Sequence, residues 1–566
     1  MNKEFPRKFV PENLEFNDWN KIKPVFQNLL DRKINSKEEL EKWLLNKSEL
    51  QDCISEARAK RYINMTCHTN DQAIEKEYLN FVENVNPKVE PFWDKFNKKF
   101  INSKYLQELD QDYYKVLIRN IKSKIEIYRD ENVKLETKDN KLSQEYQKIV
   151  GDMTVNFDGQ DRTMPELNKY LENSDRNKRE EAWQKIMETR YQKRAKFDDM
   201  YNKLIKIRNQ IALNAGEKNY RDYIFKARGR FDYSPENCFK FHEAVQKVVV
   251  PLMRKISEER RQKMHLEKLR PWDTSADPEG RPALKPFEKI EELLNGCQNV
   301  FSKLDPKLEE LFKSMRDHHE LDLETRKGKA PGGYMYCKDE ERRPFIFMNA
   351  AGTQKDVEVL FHESGHSFHS FECRNQPISD YRDYPIEFAE VASMSMELFA
   401  NKYFGEFYSS KEDSKRARYN HIEDIIWMLS WIARIDEFQH WVYTHPNHTN
   451  KDRTNFWLEL DKKYGFILDW EGLEKYREFF WQKQSHLFNN PFYYIEYGIA
   501  QLGALGLWVN YKKDKEGTLK KYLKALSLGN SKPLPELFKT AGIKFDFSID
   551  TIKPLIEEIN KELILL

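Results

Sequence analysis

His362, Glu363 and His366 spell H-E-x-x-H inside an apolar stretch, residues 360–369 (LFHESGHSFH). If the stretch is helical, the two histidines stand about 40° apart around the axis and about 6 Å apart along it, so both imidazoles point at one spot. A zinc ion takes neutral imidazole nitrogens at about 2.0–2.1 Å, and Glu363, one residue on, can reach a water at such an ion. The alternative is a solvated helical face that carries two His and one Glu by chance. Leu360, Phe361 and Phe368 weigh against it, because they make the helix apolar. Gly365 costs a helix about 1 kcal/mol relative to Ala, which points to a need for space beside that face.

A catalytic zinc site has three protein ligands and one open position, so a third donor must come from downstream. Residues 384–399 (YPIEFAEVASMSMELF) offer Glu387, Glu390 and Glu397 on a second apolar helix, with Pro385 tolerated in its first turn. Glu390 and Glu397 share a face, and Glu387 lies one turn back. Spacing alone leaves the three open. The combined pattern, H-E-x-G-H-x-x-H followed by F-x-E-x-x-S-x-x-x-E, resembles the thimet oligopeptidase and oligoendopeptidase F family of zinc metallopeptidases, and the oligoendopeptidase F branch above all. The resemblance makes Glu390 the third ligand of one zinc ion per chain. Its 28-residue distance from His362 allows a helix, a loop and a returning helix. Glu397, on the same face, then becomes a support for a ligating histidine. His369 lies about 10 Å along the helix from His362, too far to share the ion, and is expected to line a channel or support a ligand.

A second constellation follows at residues 486–508 (HLFNNPFYYIEYGIAQLGALGLW). Asn489-Asn490-Pro491 marks a turn, after which Tyr493, Tyr494 and Tyr497 open a helix. Peptide hydrolysis passes through an oxyanion, and a phenol or imidazole aimed at it is worth about 3–4 kcal/mol. By resemblance the role falls to His486, Tyr494 and Tyr497. The Asn-Asn-Pro-Phe loop, where the thimet branch is Gly-rich, leaves Tyr493 and Tyr494 as competing assignments. The bland reading of these tyrosines is an aromatic core stripe.

The elements that must position these residues are mostly helical. Residues 18–149 show apolar positions at three- and four-residue spacing among Lys and Glu. Residues 153–163 alternate around Asp158-Gly159, a hairpin signal. Helical periodicity resumes at Met164, and residues 204–223 again resemble the family. The expected division is an N-terminal helical lobe, residues 1–190, and a catalytic region, residues 191–566. Residues 269–286, with four Pro, read as a connector. Residues 327–353 carry Gly332, Gly333, Phe345 and Phe347 and read as a short sheet just before the H-E-x-x-H helix. A sheet edge can bind an extended peptide through main-chain hydrogen bonds, so these four residues are substrate-binding candidates. His440, a lone His on an apolar helix, reads as structural. The fold expected is mainly α: by resemblance a two-lobed helical body with a small sheet beside the H-E-x-x-H helix and a deep substrate channel.

With 95 basic and 93 acidic residues the net charge is +2, which excludes a nucleic-acid-sized field. The N-terminus lacks a secretory apolar run, and no stretch of about 18 apolar residues occurs, so the expected setting is cytoplasmic and away from membranes. The six cysteines form no C-x-x-C pair and read as reduced and structural. The function the family resemblance implies is internal cleavage of short peptides, and the expected assembly is a monomer or small homo-oligomer. Two alternatives remain: an exo-acting carboxypeptidase- or dipeptidase-like enzyme, and a helical scaffold whose zinc is closed by a fourth ligand such as Cys373.

Overall fold

The computed structural model of the protein describes residues 4–566. Helices dominate, and among the described residues the strands make only two small sheets. The first is the expected hairpin: β1 (Thr154–Phe157) pairs antiparallel with β2 (Gln160–Thr163). Asp158 and Gly159 both take positive φ, 52° and 74°, the two-residue turn whose twist matches that of the flanking strands. The second sheet holds β3 (Leu321–Glu324), β4 (Tyr334–Lys338) and β5 (Arg343–Ala350) in the order β3-β5-β4. The central strand β5 runs parallel to β3 and antiparallel to β4.

The chain divides into two compact units, each assembled from three segments. One contains Met1–Ile125, Lys285–Arg418 and Ala500–Phe545; the other contains Glu126–Leu284, Tyr419–Ile499 and Asp546–Leu566. The expected boundary at 190/191 is therefore corrected. Three of the actual divisions fall inside helices, in Gln111–Ile127, Lys411–Thr444 and Tyr494–Lys513, so no Pro- or Gly-rich linker marks them in the sequence.

In the first unit Phe26, Trp43, Phe92 and Phe96 form an aromatic core, and Trp43 donates its indole N–H to the Leu29 carbonyl at 2.9 Å. In the second, Trp183, Trp272, Trp470 and Tyr476 pack together. The Pro-rich connector is anchored there by Asp273, fully buried and paired with Arg176 at 2.8 Å and Arg179 at 3.2 Å. High aromatic content is thus largely a packing device. All six cysteines are free.

Two helices of the first unit carry the candidate metal ligands. The helix Gln354–Cys373 follows β5 directly and starts at a capping box, Thr353 with Asp356. The helix Ile386–Asn401 packs against it. Gly365 allows the approach: a Cβ there would stand 2.5 Å from Ser393 Cα and 2.7 Å from the Ala392 carbonyl oxygen. The space required beside the H-E-x-x-H face is taken up by the neighbouring backbone.

Candidate metal centre

His362 and His366, one turn apart, bring their Nε2 atoms within 3.2 Å of each other. Glu390 comes across from the partner helix, its Oε2 3.3 Å from His362 Nε2 and 3.7 Å from His366 Nε2. Two ligands of a tetrahedral ion held at about 2.05 Å stand about 3.3 Å apart, so the three donors match a single small cation. The other faces of these side chains are tied back. His362 Nδ1 meets Glu397 Oε1 at 2.6 Å, the His366 ring hydrogen-bonds the Ala389 backbone, and the Ser393 hydroxyl donates to Glu390 Oε2 at 3.1 Å. Such ties fix the ring orientation and leave both Nε2 atoms directed inward.

The charges point the same way. Burial opposes a charge on His362, but hydrogen bonds to Glu390 and Glu397 outweigh it and raise its pKa well above the usual histidine value. Burial prevails at His366 and pulls it down to about 4. With Glu363, Glu390 and Glu397 around two imidazoles, the cluster favours positive charge where the donors meet. The side chains of His362 and His366 keep 23% and 15% of their surface exposed while Glu390 keeps 7%, so the cluster is closed behind and accessible in front. Cys373 lies outside it and points its thiol at the Ser370 carbonyl, so it is no fourth donor.

Glu363 is buried, and burial pushes its carboxyl up to about 7 against the opposing charge of His362. It accepts a hydrogen bond from the Met335 backbone, in strand β4. β4 is an edge of its sheet, so the expected strand edge does lie beside the H-E-x-x-H helix, but it is made by other residues than Phe345 and Phe347. Those two belong to the central strand β5, whose ladders are filled on both sides. Phe347 is fully buried, packs against Ile63 and Cys67, and stacks on Tyr334 with ring centres 4.8 Å apart. It offers no surface to a peptide. Gly332 and Gly333 lead into β4; Gly332 needs its φ of 100°, and Asn349 holds its carbonyl at 2.8 Å.

His369 is a second correction. Its ring is fully buried, so it lines no channel; it stacks on Tyr384 at 3.5 Å, and burial lowers its pKa well below the usual value. Its place on the apolar side of the helix follows from the partner helix packed there. Of the three glutamates left open by spacing, Glu390 joins the cluster, Glu397 stands behind His362, and Glu387 does neither. Removing the support without touching a donor, Glu397→Ala, is expected to weaken metal affinity by about 10–100-fold with little loss of fold, readable by competition with a chelator of known strength.

In the second unit the expected constellation does assemble. The His486 ring lies 5.6, 5.0 and 6.1 Å from those of Tyr493, Tyr494 and Tyr497. Gln484 contacts His486 Nδ1 at 2.7 Å and accepts from the Trp431 indole at 2.8 Å. Burial pushes the Tyr494 phenol up to about 12, so it stays a proton donor. The Asn-Asn-Pro-Phe turn is held at Phe492, whose backbone takes φ 62° and donates to Gln439 Oε1 at 2.6 Å. Sequence reasoning missed Gln484 and the backbones of Met335 and Ala389, and it carried Ser393 within the F-x-E-x-x-S pattern without giving it a role. Backbone groups have no residue signature, and Gln484 sits in no recognisable spacing.

Fold and donor set together describe a helical protein with a two-histidine, one-glutamate constellation on paired helices. A family model for Peptidase family M3 matches residues 169–555, and one for the Peptidase M3 N-terminal domain matches residues 9–128. The chain belongs to peptidase family M3. Among similar proteins, Oligopeptidase PepF of Bacillus subtilis (strain 168) is 28% identical over 244 residues, 41% of this chain and 35% of the relative. The Oligoendopeptidase F homolog of Borreliella burgdorferi is 27% identical over 289 residues, 47% of each chain. The chain thus spans between a third and a half of the length of these curated relatives. A solved structure of PZ peptidase A with inhibitor 2 superposes with a TM-score of 0.90 at 31% identity, covering 99% of both chains.

Proposed function

We propose that this chain is a zinc-dependent oligoendopeptidase that hydrolyses internal bonds of short peptides. The observation that carries the reading is the convergence of His362 Nε2, His366 Nε2 and Glu390 Oε2, with the Glu363 carboxylate on the next residue. One zinc per chain, held by those three donors, would polarise the scissile carbonyl and make a water acidic enough to ionise near pH 7.

The rest is the work of the chain's own residues. Glu363, braced by the Met335 backbone, takes a proton from the attacking water and returns it to the leaving amine. Glu397 keeps the His362 ring turned inward. The role proposed for His486 and for Tyr494 and Tyr497, with Tyr493 as the competing assignment, is hydrogen-bond donation to the oxyanion. The peptide's main chain would pair with β4, which makes Gly332, Gly333 and the β4 backbone the substrate contacts in place of Phe345 and Phe347. The partners are short peptides, and no described helix is long and apolar enough to cross a membrane.

The test is a fluorescence-quenched peptide blocked at both ends, of about ten residues, long enough to lie along a strand of usual length. Internal cleavage that a chelator abolishes and added zinc restores is the expected result. Cleavage confined to peptides with free ends would replace the reading with an exo-acting enzyme. No cleavage by zinc-loaded protein would leave a structural metal.

A further inference from the structure

A second group of donors lies within the other unit. Helix Pro235–Ala244 carries Cys238 and His242, and helix Lys411–Thr444 carries Asp436 and His440. Each pair is spaced by four residues, so each helix presents two donor side chains on one face. The faces meet: donor atoms of Cys238, Asp436 and His440 all lie within 4.8 Å of one another. His242 Nε2 stands 2.8 Å from Asp436 Oδ2. Exposure is 1%, 3%, 0% and 3% for Cys238, His242, Asp436 and His440, so water does not satisfy them.

Hydrogen bonding satisfies them only in part. Asp436 Oδ1 and His440 Nδ1 have no hydrogen-bond partner, and His440 Nε2 has only Asp436 Oδ2, 3.3 Å away. A buried polar atom left without a partner is costly, and an ion bound among these donors would remove that cost. Burial raises the Asp436 carboxyl, but His440 and His242 outweigh it and hold the group ionised, while burial keeps His440 itself low. The neighbouring cations are committed elsewhere: Arg230 to Glu496 at 2.7 Å and Arg221 to Asp222 at 3.0 Å.

We propose that Cys238, Asp436 and His440 form a second divalent-metal site, suited to zinc and distinct from the His362–His366–Glu390 cluster because it offers a thiolate. Thiolate, imidazole and carboxylate are all zinc donors, and the mixture disfavours magnesium and calcium, which take oxygen. His242 holds one oxygen of Asp436 and leaves Oδ1 for the ion. Burial raises the Cys238 thiol well above its usual range, so it ionises as the sulfur–metal bond forms, with its proton released to solvent. The site would staple two helices that are distant in sequence, and it takes no part in the proposed hydrolysis.

The test uses the full chain carrying His362→Ala and His366→Ala, dialysed against zinc and analysed by plasma mass spectrometry. A single tightly held zinc per chain is expected, lost when Cys238→Ser is added. In the unaltered chain, cobalt in place of zinc should give a near-ultraviolet sulfur-to-cobalt charge-transfer band, because the other cluster has no sulfur; Cys238→Ser should remove it. That spectrum needs no variant to fold. A double-alanine chain without zinc, or a cobalt-loaded unaltered chain without the band, overturns the site and leaves a metal-free polar cluster.

Discussion

Glu363→Gln is expected to lower turnover of the quenched peptide by about 10²–10⁴-fold, the range that a positioned general base contributes. The amide keeps the size of the carboxylate but cannot take a proton. The donor atoms of His362, His366 and Glu390 are untouched, so metal content should equal that of the parent chain, and the loss should fall on kcat more than on KM. A variant that keeps full turnover with full metal would remove Glu363 from the role. A variant that loses its metal would mean that Glu363 holds the cluster together. The hydrogen bond from the Met335 backbone should survive, because the side-chain carbonyl of Gln still accepts.

Gly365→Ala is expected to be among the most damaging single-methyl changes in the molecule. On helix propensity alone it should stabilise by about 1 kcal/mol. Against that, the new Cβ would lie 2.5 Å from Ser393 Cα and 2.7 Å from the Ala392 carbonyl oxygen, atoms of a backbone with no rotamer to yield. Overpacking of this kind costs about 1–3 kcal/mol, so the steric effect prevails. Relief requires the two helices to part, which carries Glu390 away from the histidines. Lower thermal stability and weaker metal binding should therefore appear together. Gly151→Ala is the control: a Cβ there meets nothing within 4 Å, and the change should be neutral or mildly stabilising. Equal behaviour of the two variants would refute the close approach.

The candidate metal-binding pair was legible in the sequence because its geometry is local. Four residues of helix decide where His362 and His366 point, and the need for space at Gly365 is local as well. The Asp158-Gly159 hairpin was legible for the same reason: a two-residue turn specifies its own φ values. Residue types likewise placed His486 and the three tyrosines in one stretch.

The tertiary structure decided whatever depended on which element packs against which. Spacing left Glu387, Glu390 and Glu397 open, and the register of two helices in contact at Gly365 selects Glu390 for the cluster and Glu397 for the support. Strand order made β4 the edge and buried Phe347, since a sequence shows alternation but not which strand lies outermost. His369 shares the apolar helix with the other two histidines, yet packing turns it into a buried stacking partner of Tyr384. Three of the five divisions between the units run through helices that carry no linker signal. Cys238 and His440 are 202 residues apart in the sequence, and only the meeting of their helices makes them neighbours. In each case the deciding contact is between residues distant in the chain, and its register depends on packed shapes that no local pattern encodes.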